Sequence, residues 1–251
     1  MPGELVLYHG MASTCSKKVR MTLYEKDLPF QSHLMDLQKF EQHTKEYLAL
    51  NPNGVVPTLV YKGKPIVESS IIIEFIEDAF PQKPLRPRDP GAVADMRQWL
   101  KFSDNVAYNA VYVPTWSIMA ERARPSLSEN KLQAVLDKIP TKERRERWAT
   151  VAREGFSAKE MQDAYDKMHQ CLTKIEKAMA KTQWLAGKEF SLADIAMIPF
   201  IDRIRNLKPE FLHRAQYPGV TRWEEAMRER PAFEKAFDFK DDPRAAELPN
   251  M

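Results

Sequence analysis

Apolar positions change their period along the first part of the chain, and each change marks an element. Leu5-Val6-Leu7-Tyr8 is a continuous apolar run with room for one buried strand, and the small, polar stretch from Gly10 to Thr14 turns out of it. From about Cys15 or Ser16 the spacing is helical. Val19, Leu23 and Tyr24 give an inward face, and Lys17, Lys18, Arg20, Glu25 and Lys26 are expected outside. Leu28-Pro29 stops this helix. Phe30 to Leu34 reads as a second strand, and Phe40 to Leu50 as a less regular helix ending at the turn Asn51-Pro52-Asn53-Gly54. Thr58 to Tyr61 is a strand, the hairpin Val60 to Val67 follows, and a helix runs from Ser69 to Phe80. The order is βαβαββα, with a helical crossover making the first two strands parallel neighbours.

Beyond Pro81 the pattern is helical throughout. Pro81, Pro84, Pro87 and Pro90 punctuate a charged stretch that cannot continue a helix, so the chain divides into 1–81, a linker at 82–90 and an all-helical part at 91–251. Ala92 to about Glu121 carries Trp99, Phe102, Tyr108, Tyr112 and Trp116, with a kink expected at Pro114. Ala158 to Lys181 places Met161, Tyr165, Met168, Leu172 and Ile175 on one face. The connection between them, Arg124 to Ser157 with Pro125 and Pro140, is long for a bundle and is either functional or partly helical itself. Ser191-Leu192-Ala193-Asp194 precedes an apolar run and reads as a capping box with aspartate in place of glutamate, which gives Asp194 a folding role. A final helix is expected from Val220 to about Arg230, stopping before Pro231, with a frayed tail after Phe239. The fold class is α+β.

Composition narrows the function classes. Among 251 residues, 38 lysines and arginines face 35 acidic residues, and a net charge of +3 points to neither a nucleic acid nor a membrane surface. Cys15 and Cys171 lie far apart, and Met1-Pro2-Gly3-Glu4 lacks the regions of a signal peptide, so a soluble protein of the reducing cytoplasm is expected. His9, His33, His43, His169 and His213 have no metal-ligand spacing with either cysteine, and no nucleotide-binding glycine motif is present.

Candidate chemistry gathers around Pro57. It stands at the mouth of a strand, where it gives no amide to a ladder, and a cis bond there would turn the backbone groups of Val56 outward and unpaired. Glu68 and Ser69 open a helix whose free amides favour an anion. One peptide-like ligand with a free carboxylate fits both. Ser13, Thr14, Cys15 and Ser16 begin the first helix, either as a cap around a small buried cysteine or as a site that ionises a thiol, whose pKa at such termini falls from about 8.5 to ~3.5–7.5. Tyr108, Tyr112, Trp116 and Met119 recur at helical spacing, which on the residues alone reads as bundle core. In Thr141 to Arg147 glutamates alternate with arginines, which predicts local ion pairs on a solvated helix.

"NPNGVVPTL", the "ES" after it and "IIIEFIEDAFP" resemble the amino-terminal half of a glutathione transferase. The resemblance implies a thioredoxin-like domain followed by a helical bundle, glutathione as cosubstrate, a small hydrophobic or aromatic electrophile, and a homodimer. It implies that cis-Pro57 and Val56 pair with the cysteinyl backbone of glutathione, that Glu68 and Ser69 hold its γ-glutamyl end, that Gln42 is a polar contact, and that the helix bearing Tyr108 lines the electrophile pocket. Val55 replaces a commonly basic residue, which implies some lost ligand affinity. The spacing from Ser13 to Val19-Arg20 is similar to that of the catalytic serine of the zeta class and the catalytic cysteine of the omega class. "LYEKDLPF", "KFEQHTKEYLALNPNGVVP", "LRPRDPGAVADMRQW" and "IPTKERRERWATVAREGF" resemble the bacterial β-etherases that cleave lignin-derived aryl ethers, whose serine falls nearest Ser16, with an asparagine at Cys15. Ser13, Cys15 and Ser16 thus all stand as candidates. A disulfide reductase or isomerase, and a non-catalytic glutathione-binding scaffold, are the rival readings.

Overall fold

The computed structural model describes residues 5–123 and 128–239. Its first part runs β1 (Leu5–His9), α1 (Thr14–Glu25), β2 (Gln31–Leu34), α2 (Lys45–Leu50), β3 (Thr58–Tyr61), β4 (Lys64–Ile66) and α3 (Ser69–Ala79). The strands pair in the order β2-β1-β3-β4, with β1 parallel to β2 and β3 antiparallel to both its neighbours. This is the βαβαββα layer that the alternation of periods predicts, in the thioredoxin-like arrangement that the family resemblance implies. Leu5, Leu7 and Leu59 from the sheet meet Val19 and Leu23 of α1 and Ile72, Ile73 and Ile76 of α3 in one core, each buried side chain contributing about 1.5–3 kcal/mol.

The second part is all-helical. It comprises α4 (Pro90–Phe102), α5 (Tyr108–Ala123), α6 (Glu129–Leu136), α7 (Lys142–Glu154), α8 (Ala158–Met179), α9 (Leu192–Leu207), α10 (Pro218–Arg228) and α11 (Pro231–Phe237). Asp89 caps α4 by accepting the Ala92 amide at 2.8 Å, with Pro90 in the first turn, so the linker's last proline starts a helix. Pro231 likewise opens α11; the expected stop is a restart. Residues 124–127, Pro125 among them, and the tail beyond Phe239 lie outside the described residues, while residues 128–157 of the long connection include α6 and α7 around a small core of Leu132, Leu136 and Ile139.

α9 is buried on almost every side and is the axis of the bundle. Its capping box forms as the sequence predicts: Asp194 accepts the Ser191 amide at 3.0 Å, and its other oxygen accepts the Leu185 amide at 3.0 Å and the Trp223 indole at 2.9 Å. Burial raises the Asp194 carboxyl to about 6 against those bonds.

One expectation fails here. Lys17, Lys18, Arg20 and Lys26 are buried, because α1 is sandwiched between the sheet and the bundle and has no free side for them. Lys17 bonds Asp202 of α9, Lys26 bonds Glu77 of α3, and Glu25 takes Arg230. The helix after the linker is interrupted by a π turn at Ser103–Ala107, and Pro114 lies within α5. Lys18 draws the polar groups of Ser103 and Asp104 inward at that turn, each at 2.9 Å. Among the described residues no helix is long and apolar enough to cross a membrane, and no group of three or more His, Cys, Asp or Glu could hold a metal.

Candidate functional site

The chain leaves β1 at His9 and is held tightly before α1 begins. Arg20, buried in α1, donates to the carbonyls of Gly10 and Met11 at 2.9 Å each and to the carbonyl of Ala236 in α11 at 2.8 Å. It also contacts Nδ1 of His9 at 3.1 Å, and desolvation pushes the guanidinium down to about 9. One cation therefore fixes the turn in which the candidate hydroxyls stand. Ser13 caps α1, its Oγ accepting the Ser16 amide at 3.1 Å. Ser16 is 0% exposed, and its Oγ accepts the Gly10 amide at 3.2 Å. Cys15 is a partly exposed free thiol.

Across from this turn the Val56–Pro57 bond is cis. Among the described residues, Val56 has no backbone hydrogen-bond partner, so its amide and carbonyl are open to a ligand. Its position is fixed from behind. The carbonyl of Val55 accepts Tyr47 Oη at 2.6 Å and Asn51 Nδ2 at 2.9 Å, and both side chains also meet Thr58 Oγ1. Gly54 has a φ of +58°, and a Cβ there would stand 2.7 Å from the His43 ring and 3.1 Å from Pro140. That glycine lets the loop preceding α7 close over the turn.

Glu68 adopts a φ of 68°, an uncommon conformation for a residue with a side chain, at a cost on the order of 1–3 kcal/mol. It is exposed, and it presents the first amides of α3. Ser69 follows it, with its Oγ 3.4 Å from Lys18 Nζ, which also reaches Ser70 at 3.2 Å. Gln42 sits behind the Asn53-Gly54 turn, with Oε1 buried and unpartnered among the described residues.

Tyr108, Tyr112 and Trp116 form a continuous wall on α5, with ring centroids 5.6 and 6.3 Å apart. The wall continues from Trp116 to Trp148 of α7 at 4.5 Å, and from Tyr112 to Phe156 at 6.3 Å. Met119, one turn further along α5, is half-buried. Tyr108 is 39% exposed, and its phenol is raised first by burial, then by Cys15 and Tyr112, with Arg144 opposing and Glu68 adding. Groups from the turn, α3, α5 and α7 thus converge on one ring. A cavity of about 230 Å³ opens here between Tyr112, Glu143, Arg144, Arg147 and Trp148. A larger hollow, about 710 Å³, runs along α4 past Arg97, Lys101 and Phe102 and includes none of the candidate residues.

The arginines of α7 depart from the expected local ion pairing. Arg144 donates to the carbonyl of Asn53 and Arg147 to Glu160, so both turn toward neighbouring segments. Within α7, Lys142 and Glu146 keep an i,i+4 pair, at 3.7 Å. Tyr47, Asn51, Lys18, Arg20 and Arg144 shape the site without having been singled out for it. No local signal marks the lysines and arginines, since a helix under two layers has the same sequence pattern as one under a single layer. Tyr47 and Asn51 could have been found from the turn chemistry, where an Asn four residues before Val55 is a natural side-chain tie.

Two family models match the chain: one described as the glutathione S-transferase N-terminal domain covers residues 12–79, and one described as the C-terminal domain covers residues 134–231. The chain is 31% identical over 240 residues to Protein LigF of Sphingobium sp. (strain NBRC 103272 / SYK-6), covering 93% of both chains. It is 28% identical over 233 residues to glutathione S-transferase GstB of Escherichia coli (strain K12), covering 92% of this chain and 96% of that one. Similarity to the maleylacetoacetate isomerase of Mus musculus is 26% over 251 residues, covering 98% of each. The crystal structure of the beta-etherase LigF superposes with a TM-score of 0.86 at 30% identity, covering 93% of this chain and 98% of that one.

Proposed function

Because this chain belongs to the glutathione S-transferase family, we propose that it activates the thiol of glutathione for attack on a small aromatic electrophile, with β-aryl ethers of lignin-derived compounds as the substrate class. The observation that carries this reading is the continuous aromatic wall of Tyr108, Tyr112 and Trp116 on α5, with ring centroids 5.6 and 6.3 Å apart, which begins beside Cys15 at the start of α1. A nucleophile held at the start of α1 would therefore face an aryl group held on α5. Val56 would pair with the cysteinyl backbone, Glu68 and Ser69 with the γ-glutamyl end, and Gln42 with the remainder.

Ser13 is the proposed activating hydroxyl. Its oxygen accepts the Ser16 amide and its proton stays available to a sulfur anion, which stabilises the thiolate and lowers the thiol pKa. The thiolate attacks the carbon bearing the aryloxy group, a C–S bond forms, the C–O bond breaks, and the phenolate leaves to take up the proton lost by the thiol. Tyr112, Trp116 and Met119 hold the ring in line for that displacement. The phenol, its deprotonation already opposed by burial, stays protonated at neutral pH and can donate to the departing oxygen from Tyr108. Homodimerisation belongs to the same reading and is supported by Ile71 of α3, an apolar side chain 58% exposed; light scattering on the purified protein tests it.

The experiment is a glutathione-dependent release of phenol from a model β-aryl ether, with the thioether identified by mass. No release above a boiled control removes this substrate class. A second reading, disulfide reduction through Cys15, is favoured by that thiol's partial exposure near the amino terminus of α1. Turnover of a glutathionylated disulfide that is lost in Cys15→Ser would support it.

A further inference from the structure

Resting on the glutathione reading above, we propose that Arg144 of α7 is a glutathione-binding residue that takes the glycyl carboxylate, supplying from the helical part of the chain the cation that Val55 does not. A tripeptide anchored by its γ-glutamyl end at Glu68 and Ser69, and by its middle residue at Val56, must end on the other flank of Val56. That flank is built from Gln42, His43 and the Asn53-Gly54 turn. Extended peptide spans about 3.3–3.6 Å per residue, so the terminal carboxylate lies about one residue's length beyond the middle residue on that flank.

Arg144 is already docked there, donating through Nη1 to the carbonyl of Asn53. Among the described residues it has no carboxylate partner, whereas Arg147 is bonded to Glu160 and stacked over Phe156, and Arg153 is bonded to Glu129. The rest of its planar fork is free to take both oxygens of an anion, the geometry guanidinium provides best. The other basic groups nearby are poorer candidates. His43 has its pKa lowered by burial and then by Arg144 itself, so it is neutral at pH 7. Lys138 is exposed and lies over the Phe40 ring. Glu143, which lines the same cavity, is exposed and makes no ion pair with Arg144 among the described residues. The buried, unpartnered Oε1 of Gln42 adds an acceptor at this end, suited to the glycyl amide.

Titration calorimetry with glutathione and with its glycyl monoethyl ester tests the assignment, because the ester keeps every group except the one Arg144 is said to read. Wild type should bind the acid roughly tenfold more tightly than the ester, as expected for a charge-assisted pair. Arg144→Gln should lose that preference by weakening the acid and leaving the ester unchanged. Arg147→Gln should retain the preference. Equal weakening of both ligands in Arg144→Gln would reduce its role to holding the turn and overturn the proposal. Unchanged binding of both, with a raised KM for an anionic aryl substrate, would assign the guanidinium to the electrophile and overturn it equally. A wild-type protein that binds neither ligand would sink the glutathione reading and this inference with it.

Discussion

The backbone amide of Ser16 donates to Oγ of Ser13 at 3.1 Å, while Oγ of Ser16 is itself turned inward to accept the Gly10 amide at 3.2 Å. The two hydroxyls are one helical turn apart and differ in access. Ser13→Ala is expected to lower kcat/KM by roughly 10²-fold, the scale for losing one donor to a developing or resident anion, and to cost about 1 kcal/mol as a lost cap. Ser16→Ala should cost about 1 kcal/mol of stability and leave the rate near wild type. Steady-state rates and a thiolate absorbance titration of bound glutathione decide between them. A rate loss confined to Ser16→Ala would reverse the assignment and favour the β-etherase register.

Lys18 and Asp104 form an unequal pair. Nζ of Lys18 is fully buried at 2.9 Å from a carboxylate whose side chain is 45% exposed. Removing the acid strands a buried ammonium among the hydroxyls of Ser69, Ser70 and Ser103, so Asp104→Ala should destabilise by about 3–5 kcal/mol. Removing the base leaves an acid that water can reach, so Lys18→Met should cost clearly less. Urea midpoints of the two variants test the order, and equal losses would show that the buried cation is solvated in a way the geometry does not provide.

Much of the fold is legible in the chain because period and punctuation agree: the apolar run at Leu5, the turn before Pro57 and the Ser191-Asp194 box each specify one local answer. The first helix is different. Its charged residues read as solvent-facing because a pattern of period 3.6 records which side is apolar and is silent about polar groups that are buried in pairs, as Lys17 is with Asp202 and Lys26 with Glu77. α11 was hidden for a similar reason, since Pro231 serves equally as a stop and as a first helical residue. Glu68, Val56 and the aromatic stripe are visible as motifs. Arg144 is not, because its partner is the Asn53 carbonyl, far away in sequence, and a backbone acceptor leaves no trace in residue type.

Asp194 gives a pH dependence whose sign can be worked out. Its carboxyl is raised from an ordinary 3.8 to about 6 in the folded protein, so folding favours the protonated form. Below about pH 4 the group is protonated in both states; above about pH 6 the folded protein carries a buried charge that costs about 3 kcal/mol. Stability from this group is therefore lost as pH rises through that window. Asp194→Asn removes the titration but sets an amide donor against the Ser191 amide, lowering stability at every pH. The gap between wild type and variant, read from urea midpoints, should narrow between about pH 4 and 6. A widening gap would mean that the bonds from Leu185, Ser191 and Trp223 outweigh burial and hold the carboxyl low.

Trp116 and Trp148 meet edge to face, 4.5 Å between centroids at 72°, where α7 lies against α5. Trp148 also packs on the small core of Leu132, Leu136 and Ile139, so this contact joins a semi-independent helical hairpin to the wall of the cleft. Two roles for the stripe can be separated through it. If the wall receives an aryl group, Trp116→Ala should raise KM for an aryl substrate about tenfold, leave glutathione affinity unchanged, and be largely rescued by Trp116→Phe, which restores a ring. Leu132→Ala should loosen the hairpin, seen as faster amide exchange in α6 and α7, with little change in the global midpoint, because its core is separate from the main one. A Trp116→Ala variant that loses stability with KM unmoved would make the stripe bundle core, and the electrophile would have to be sought elsewhere along the cleft.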